Sequence, residues 1–415
     1  MSLSENVKSI LRIFKRSGVD KSLYFATFLL AIFGIYMIAD ASVGSTIRLG
    51  PKFVFVNLFK QLVFVSIGAI ALFVAAKGMN KKLGMNNLNK CKLYYGIALI
   101  ALFACRLWNI NGSHAWIVLG PVTIQPAEFM KIILVFVLAY TLGELPKRYK
   151  ISKYISPRKR RELLRIKKRD CLYWPVGMVL GATATIIVIQ KDFGSAAILL
   201  AMCFVVFLCA PDPYYRPYKK MAIMAAAVGV VVVAVGSTFI FRSHQLQRIV
   251  TWRDPLNEKY IYSKAMQVIN GLIAFTNGGL IGRGAGNSVM KFGYIPEAQN
   301  DYISAIVAEE FGFFGILIII VLYCYIIFKL FNYAQKIKND KYKLILVGIA
   351  SYFFMHLIVN LGGVSGYIPM TGVPLLLISA GGTSTVVAMY SIGAAQRVIS
   401  IYNKDKLKRE AEESL

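Results

Sequence analysis

Asp301 has the strongest claim to chemistry in this chain. It closes the run Lys291-Phe-Gly-Tyr-Ile-Pro-Glu-Ala-Gln-Asn-Asp301 and opens a predicted membrane helix at its outer end. A carboxylate where an aqueous loop meets an apolar span costs free energy unless it is solvated or paired, so it marks a candidate functional site. In that position it can take a proton from an incoming hydroxyl group. Glu309 and Glu310 follow two turns deeper on the same predicted helix. Position 309 lies roughly 80° around from 301, close enough to share a stripe. Buried carboxylates there serve as proton carriers or as bonds between helices, and structural pairing is the expectation for these two.

A second polar group is Gln125-Pro-Ala-Glu128-Phe-Met-Lys131. Pro126 suits the first turn of a helix, and the three-residue spacing puts Gln125, Glu128 and Lys131 on one face. Glu128 and Lys131 can pair within a span, either as a structural bond or as part of a polar face lining an outer cavity. The third group is the segment 241–301. It is too long for an ordinary connection and too rich in Ile, Tyr, Phe and Trp for disorder. It carries Arg242, Arg248, Arg253, Lys259, Lys264, Arg283 and Lys291 against Asp254, Glu258, Glu297 and Asp301. Such a balance fits a cationic outer cavity for a phosphorylated headgroup. It also fits a long loop that escapes the usual charge rule. Gly278-Gly-Leu-Ile-Gly282-Arg-Gly284-Ala-Gly286 has no Lys-Ser or Lys-Thr after it, so a nucleotide site is not indicated. Glycines of this kind more often permit close helix approach or a re-entrant turn.

These residues must be positioned by membrane helices. The chain has 415 residues, 57% of them hydrophobic, and a mean hydropathy of +0.58. That is too apolar for an ordinary soluble domain. Ten stretches approach the roughly 20 residues a bilayer core requires: 23–40, 53–76, 93–109, 126–144, 173–189, 194–210, 221–241, 302–331, 343–361 and 375–400. The fifth and sixth are separated by Gln190-Lys-Asp-Phe-Gly194, a polar break that must lie in protein or water. The predicted architecture is an all-α integral membrane protein of about ten transmembrane helices. A long outer loop joins helices 7 and 8, and both termini are cytoplasmic. Residues 1–22 form an inner N-terminal segment, 23–400 the membrane domain and 401–415 an inner tail. Lys and Arg gather in the segments this topology places inside, above all 145–172, in agreement with the positive-inside rule. The net charge of +28 therefore reads as topology and attraction to anionic lipid, with no nucleic-acid partner implied. The N-terminal segment lacks a cleavage pattern, so the first span is expected to be retained. The six cysteines form no CxxC pair and the three histidines lie far apart, so neither a disulfide framework nor a metal cluster is implied.

Seven segments in order resemble the SEDS family (shape, elongation, division and sporulation), the FtsW/RodA group. They are Asn111-Gly-Ser-His-Ala-Trp116-Ile, Ile124-Gln-Pro-Ala-Glu-Phe-Met-Lys131, Gln190-Lys-Asp192-Phe-Gly194, Gly278-Gly-Leu-Ile-Gly-Arg-Gly284, Tyr294-Ile-Pro-Glu-Ala-Gln-Asn-Asp301-Tyr, Glu309-Glu-Phe-Gly312, and Ile368-Pro-Met-Thr-Gly-Val-Pro374 through Gly382. The resemblance implies a peptidoglycan glycosyltransferase of the bacterial cytoplasmic membrane. Such an enzyme polymerises lipid II on the outer face and releases undecaprenyl pyrophosphate. Asp301 matches the family's essential aspartate and is the expected base. Arg248, Arg283 and Lys291 are the candidates for the pyrophosphate. Trp116, Glu128, Lys131, Gln190, Asp192 and Glu297 are candidates for lining the cavity or holding its shape. No cofactor is demanded, although a divalent cation (Mg or Mn) bridging pyrophosphate and carboxylate is compatible with the chemistry. The implied partners are lipid II and its undecaprenyl-linked glycan, a class B penicillin-binding protein, and other divisome or elongasome membrane proteins. The sequence departs from the family pattern at Ala115, Ala127, Asn300, Tyr302, Ala380, Thr383 and Asp40. These positions bear on headgroup contacts more than on the base. Ala39-Asp-Ala-Ser-Val-Gly44 leans toward the division branch.

Two rival readings predict different placements of charge. A flippase for lipid-linked precursor needs essential charges near the midplane, accessible from both sides in turn. A polymerase needs them gathered on the outer face. A scaffold without catalysis would tolerate replacement of Asp301.

Overall fold

The computed structural model describes residues 18–44, 50, 52–78, 87–110, 112–120, 122–149, 156–240, 250–256 and 265–413, with backbone alone for 230–240. Helices dominate: α1 (Lys21–Val43), α2 (Lys52–Gly78), α3 (Leu88–Ala104), α4 (Pro126–Arg148), α5 (Pro157–Gln190), α6 (Phe193–Leu208), α7 (Arg216–Ile240), α8 (Met266–Gly278), α9 (Ile303–Lys336), α10 (Asp340–Val364) and α11 (Gly382–Glu413). Of these, α1, α2, α3, α4, α5, α9 and α10 are long and apolar enough to cross a membrane.

Short polar side chains set where several helices start. Asp20 accepts hydrogen bonds from the backbone N–H groups of Ser22 and Leu23 at the head of α1. Asn87, Asp192 and Asn339 do the same for α3, α6 and α10. Each satisfies a donor that a helix leaves open in its first turn. Pro126 occupies the first turn of α4, as its spacing predicts. The polar break between the fifth and sixth stretches is present: α5 ends at Gln190, Lys191 adopts a left-handed conformation with φ 58°, and α6 begins after its Asp192 cap.

The burial pattern is inverted relative to a soluble protein. Phe25, Phe55, Phe59, Ile100, Val188 and Phe328 are exposed on the helix surfaces, whereas Glu128, Lys131, Gln190, Glu309, Glu310 and His356 are buried. Apolar residues facing out and paired polar groups facing in is the solution a bilayer imposes. Neighbouring helices pack α11 along α2, α9 along α10, and α8 against α9. The α2–α11 approach is close enough that a side chain at Gly393 would collide with the Leu72 backbone.

Three features depart from the sequence expectation. Ile117–Leu119 and Val122–Ile124 form a small antiparallel hairpin ahead of α4, with Gly120 at φ 61° in its turn. The outer segment 241–301 contains a helix, α8, whose short apolar run falls below the length of a span. The last stretch does not begin as a helix at 375. Residues 366–381 form an irregular segment, α11 starts at Gly382, and it continues beyond 400 with an exposed end.

Candidate active site

Asp301 stands two residues ahead of α9, in the turn that leads into it. It lines a cavity of about 100 Å3 together with Thr251, Trp252, Gln267, Tyr302, Met370 and Gly372, among others. Five parts of the chain meet here: residues 251–252, the start of α8, the head of α9, the end of α10 and the 366–381 segment after it. Trp252 Nε1 donates to the Gly366 carbonyl at 2.8 Å, tying the first of these to the last. Gln267 Nε2 donates to the Pro296 carbonyl at 3.2 Å, tying α8 to the approach to Asp301. Gly372, at φ 71°, faces the carboxylate closely enough that an added Cβ would stand 3.6 Å from Asp301 Oδ2. A carboxylate at a helix head beside a polar, solvent-reaching cavity suits a base that must meet a hydroxyl substrate.

Eight residues on, the carboxylates are enclosed. Glu309 accepts from Ser288 Oγ at 2.5 Å, Asn277 Nδ2 at 3.0 Å and the Met290 N–H at 3.1 Å. Glu310 accepts from the Gly286 and Ser288 N–H groups and from Lys291 Nζ at 2.9 Å. Lys291 also bonds Asp40 at 2.6 Å and the Gly286 carbonyl at 2.9 Å, and its side chain is only 2% exposed. Burial works against the Lys291 ammonium, but its bonds to Asp40 and Glu310 outweigh that and raise its pKa above the ordinary lysine value. The glycine run makes this packing feasible. Gly282, at φ 82°, lies against the Glu310 carbonyl, and Arg283 N and Gly284 N donate to the Glu309 and Glu310 carbonyls. The helix in turn breaks at Gly312 (φ 63°, ψ −161°), which frees Phe313 N and Phe314 N to bond Gly279 and Leu280. The run is thus a strap packed on α9.

The Glu128–Lys131 pair forms as its spacing predicts, at 2.6 Å and fully buried. Sequence reasoning missed its other partners. Tyr352 OH donates to Glu128 Oε2 at 2.8 Å, and Lys131 Nζ lies 3.1 Å from His356 Nε2. With the ring proton on Nδ1, His356 donates to the Pro374 carbonyl at 3.1 Å and accepts from Lys131. The cluster therefore supports the 366–381 segment from below. Gln125 joins a separate knot: its Nε2 reaches Asp192 Oδ2 at 3.0 Å and Ser195 Oγ at 3.3 Å, and its N–H donates to Thr383 Oγ1. Gln190 is buried and donates to the Leu102 carbonyl at 3.4 Å. Its own carbonyl receives His114 N and Ser113 Oγ, which anchors the hairpin that carries the half-buried Trp116.

Among the sequence candidates that fall in the described residues, the cavity brings in only Asp301. Arg283 is 44% exposed, with Nη1 3.8 Å from Glu309. Glu297 is exposed at φ 54° and accepts from Asn300 and Gln299 side chains. Arg248, like Arg242, Lys259 and Lys264, lies outside the described residues. Trp252 and Gln267 were not singled out. Trp252 sits in the Thr251-Trp-Arg-Asp-Pro255 turn of the outer segment, and that aromatic among charges was the available signal. Among the described residues no three His, Cys, Asp or Glu side chains gather to ligate a metal.

Comparisons with known proteins show what the chain as a whole is similar to. A family model described as cell cycle protein, for FtsW, RodA and SpoVE, matches residues 21–404. A Bacillus subtilis probable peptidoglycan glycosyltransferase FtsW is 33% identical, over 94% of this chain and 93% of that protein. The stage V sporulation protein E of the same organism is 29% identical, over 92% and 98%. A chain of a solved peptidoglycan synthase complex superposes with a TM-score of 0.68 at 23% identity, covering 92% of this chain and 97% of that one. Thermus thermophilus RodA superposes with a TM-score of 0.60 at 22% identity, covering 92% and 96%. Matched along nearly its whole length, the chain belongs to the FtsW, RodA and SpoVE family of cell cycle proteins.

Proposed function

We propose that this multi-pass protein of the bacterial cytoplasmic membrane is a peptidoglycan glycosyltransferase that polymerises lipid II on the outer face. The observation that carries the reading is Asp301 at the head of α9, lining a cavity walled by the outer segment and residues 366–374. In the reaction an acceptor sugar hydroxyl attacks the anomeric carbon of the donor. The new glycosidic bond forms as the bond to the phosphate oxygen breaks, and undecaprenyl pyrophosphate leaves with the electron pair. Asp301 takes the hydroxyl proton. The leaving group needs positive charge. Lys291 is enclosed by two carboxylates and has no free charge to offer, so we assign it to holding the strap on α9. That leaves Arg283, which reaches solvent, and Arg248 as the pyrophosphate candidates. Gln125, Glu128, Lys131, Gln190 and Asp192 act by shaping the walls, and the half-buried Trp116 and exposed Glu297 are not among the residues lining the cavity. A divalent cation, if one is used, would supply charge to the pyrophosphate.

The partner in this reading is a class B penicillin-binding protein, with other division or elongation membrane proteins around it. A solved chain of the same fold belongs to a complex that coordinates polymerization and crosslinking. The test is incubation of purified lipid II with the detergent-solubilised protein and its penicillin-binding partner, whose transpeptidase is blocked. Glycan ladders are the expected result. No ladder beside an active control polymerase would overturn the reading, and lipid translocation in proteoliposomes would then be measured for the flippase alternative.

A further inference from the structure

One buried amide stands behind Asp301. Asn360 lies in the last turns of α10 and is 1% exposed. Its Nδ2 donates to the backbone carbonyls of Asp301 and Val373, each at 2.8 Å. Its Oδ1 accepts from Ser304 Oγ, in the first turn of α9, at 3.1 Å. Three elements are thereby joined through one side chain: the turn bearing Asp301, the head of α9, and the 366–381 segment. Val373 follows Gly372, the residue that faces the Asp301 carboxylate. Gly363, one turn beyond Asn360, and Met370 line the same cavity. Both amide protons and the amide oxygen are engaged, so the orientation of the side chain is fixed, and no other uncharged residue offers this set of donors and acceptor in so short a side chain.

We propose that Asn360 is a positioning residue for the reaction. It clasps the Asp301 backbone to the 372–373 backbone, which sets how the carboxylate is presented to the cavity. The inference rests on the polymerase reading for its kinetic consequence, and on geometry alone for the clasp. Removing the donors leaves two buried carbonyls without this partner, and the head of α9 and the 366–381 segment are then free to part. Asp301 would remain present but misplaced, which costs turnover more than affinity.

The test uses the full chain with its penicillin-binding partner and compares wild type with Asn360→Ala, Asn360→Asp and Ser304→Ala. Two quantities are read: kcat and KM for lipid II across pH, and the rate at which a water-soluble carbodiimide labels Asp301, followed by peptide mass spectrometry. The clasp predicts that both Asn360 variants lose about tenfold to a hundredfold in kcat with little change in KM. It also predicts a displaced pH profile and an altered labelling rate at Asp301. Ser304→Ala, which only loosens the amide, falls between them and wild type. Folded Asn360 variants with wild-type kcat and labelling would overturn the clasp. If those variants do not fold, a Ser304→Ala protein indistinguishable from wild type in both readouts overturns it as well. If wild type makes no glycan, the polymerase reading fails and labelling alone decides: altered labelling supports the clasp, unchanged labelling removes it.

Discussion

Asp301 and the pair Glu309–Glu310 belong to the same helix and are treated oppositely by the fold. The glutamates are fully buried: the strap 278–292 wraps them with backbone N–H groups, Ser288 and Lys291, and Asn277 of α8 adds a donor to Glu309. Lys291 joins α1, through Asp40, to Glu310 of α9. Asp301 instead lines a cavity, and Asn360 bonds its backbone carbonyl. A carboxylate that holds structure is closed off by its own chain. On the proposed reading, one that does chemistry is instead positioned through its backbone at the edge of a cavity. Two of the buried lysines repeat the lesson, since Lys131 and Lys291 are each committed to protein partners and neither lines that cavity.

Disturbing the strap should therefore damage stability, and disturbing the cavity should damage turnover. The largest stability effect is expected for Lys291→Met, which leaves Asp40 and Glu310 facing each other without their cation. Losing one partner of a buried pair costs about 3–5 kcal/mol, to be read as a fall in unfolding temperature in detergent. Next comes Asp20→Asn at the head of α1. Asp20 binds Lys329, Tyr333 and Ser22. Its pKa is lowered: burial opposes the shift, but the bonds to these three outweigh it. A depressed carboxylate stabilises above its unfolded pKa and loses that contribution as pH falls through its folded value. The gap in thermal stability between wild type and Asp20→Asn should accordingly be full near neutrality and close in acid. Gly282→Ala combines a positive φ with a clash against the Glu310 carbonyl and should cost about 1–3 kcal/mol. Arg283→Ala should change stability by less than about 1 kcal/mol, because its ion pair is long and half-exposed. It should nevertheless slow glycan synthesis. An Arg283→Ala protein with normal turnover would remove it from the pyrophosphate site.

Much of this contrast is legible in the chain itself. Hydropathy located the helices, the Gln190–Gly194 break was visible as polarity inside an apolar run, and three-residue spacing announced the Glu128–Lys131 pair. Local patterns of this kind depend on neighbours in sequence. The groups that complete each site do not. Asp40 reaches Lys291 across 251 positions, His356 reaches Lys131 across 225, and Asn360 reaches Asp301 across 59. No periodicity records such pairings. Asp40 was noticed only as a departure from a family pattern, and its meaning emerged once the strap brought Lys291 to it. Residues 375–381 read as the start of a helix from their apolar residues, yet they belong to the irregular 366–381 segment, on whose backbone at Gly366, Val373 and Pro374 the side chains of Trp252, Asn360 and His356 converge. Short apolar runs fit buried loops as well as helices, and length alone did not separate them.

The most direct measurement sets Asp301→Asn beside Glu309→Gln in the lipid II assay, with unfolding temperature recorded for both. The account predicts that Asp301→Asn keeps nearly the wild-type unfolding temperature and loses glycan synthesis by about a hundredfold to ten-thousandfold. Glu309→Gln should fall in stability and retain turnover in whatever fraction stays folded. Ladders of wild-type intensity from a folded Asp301→Asn protein would contradict the account and remove this carboxylate from the chemistry.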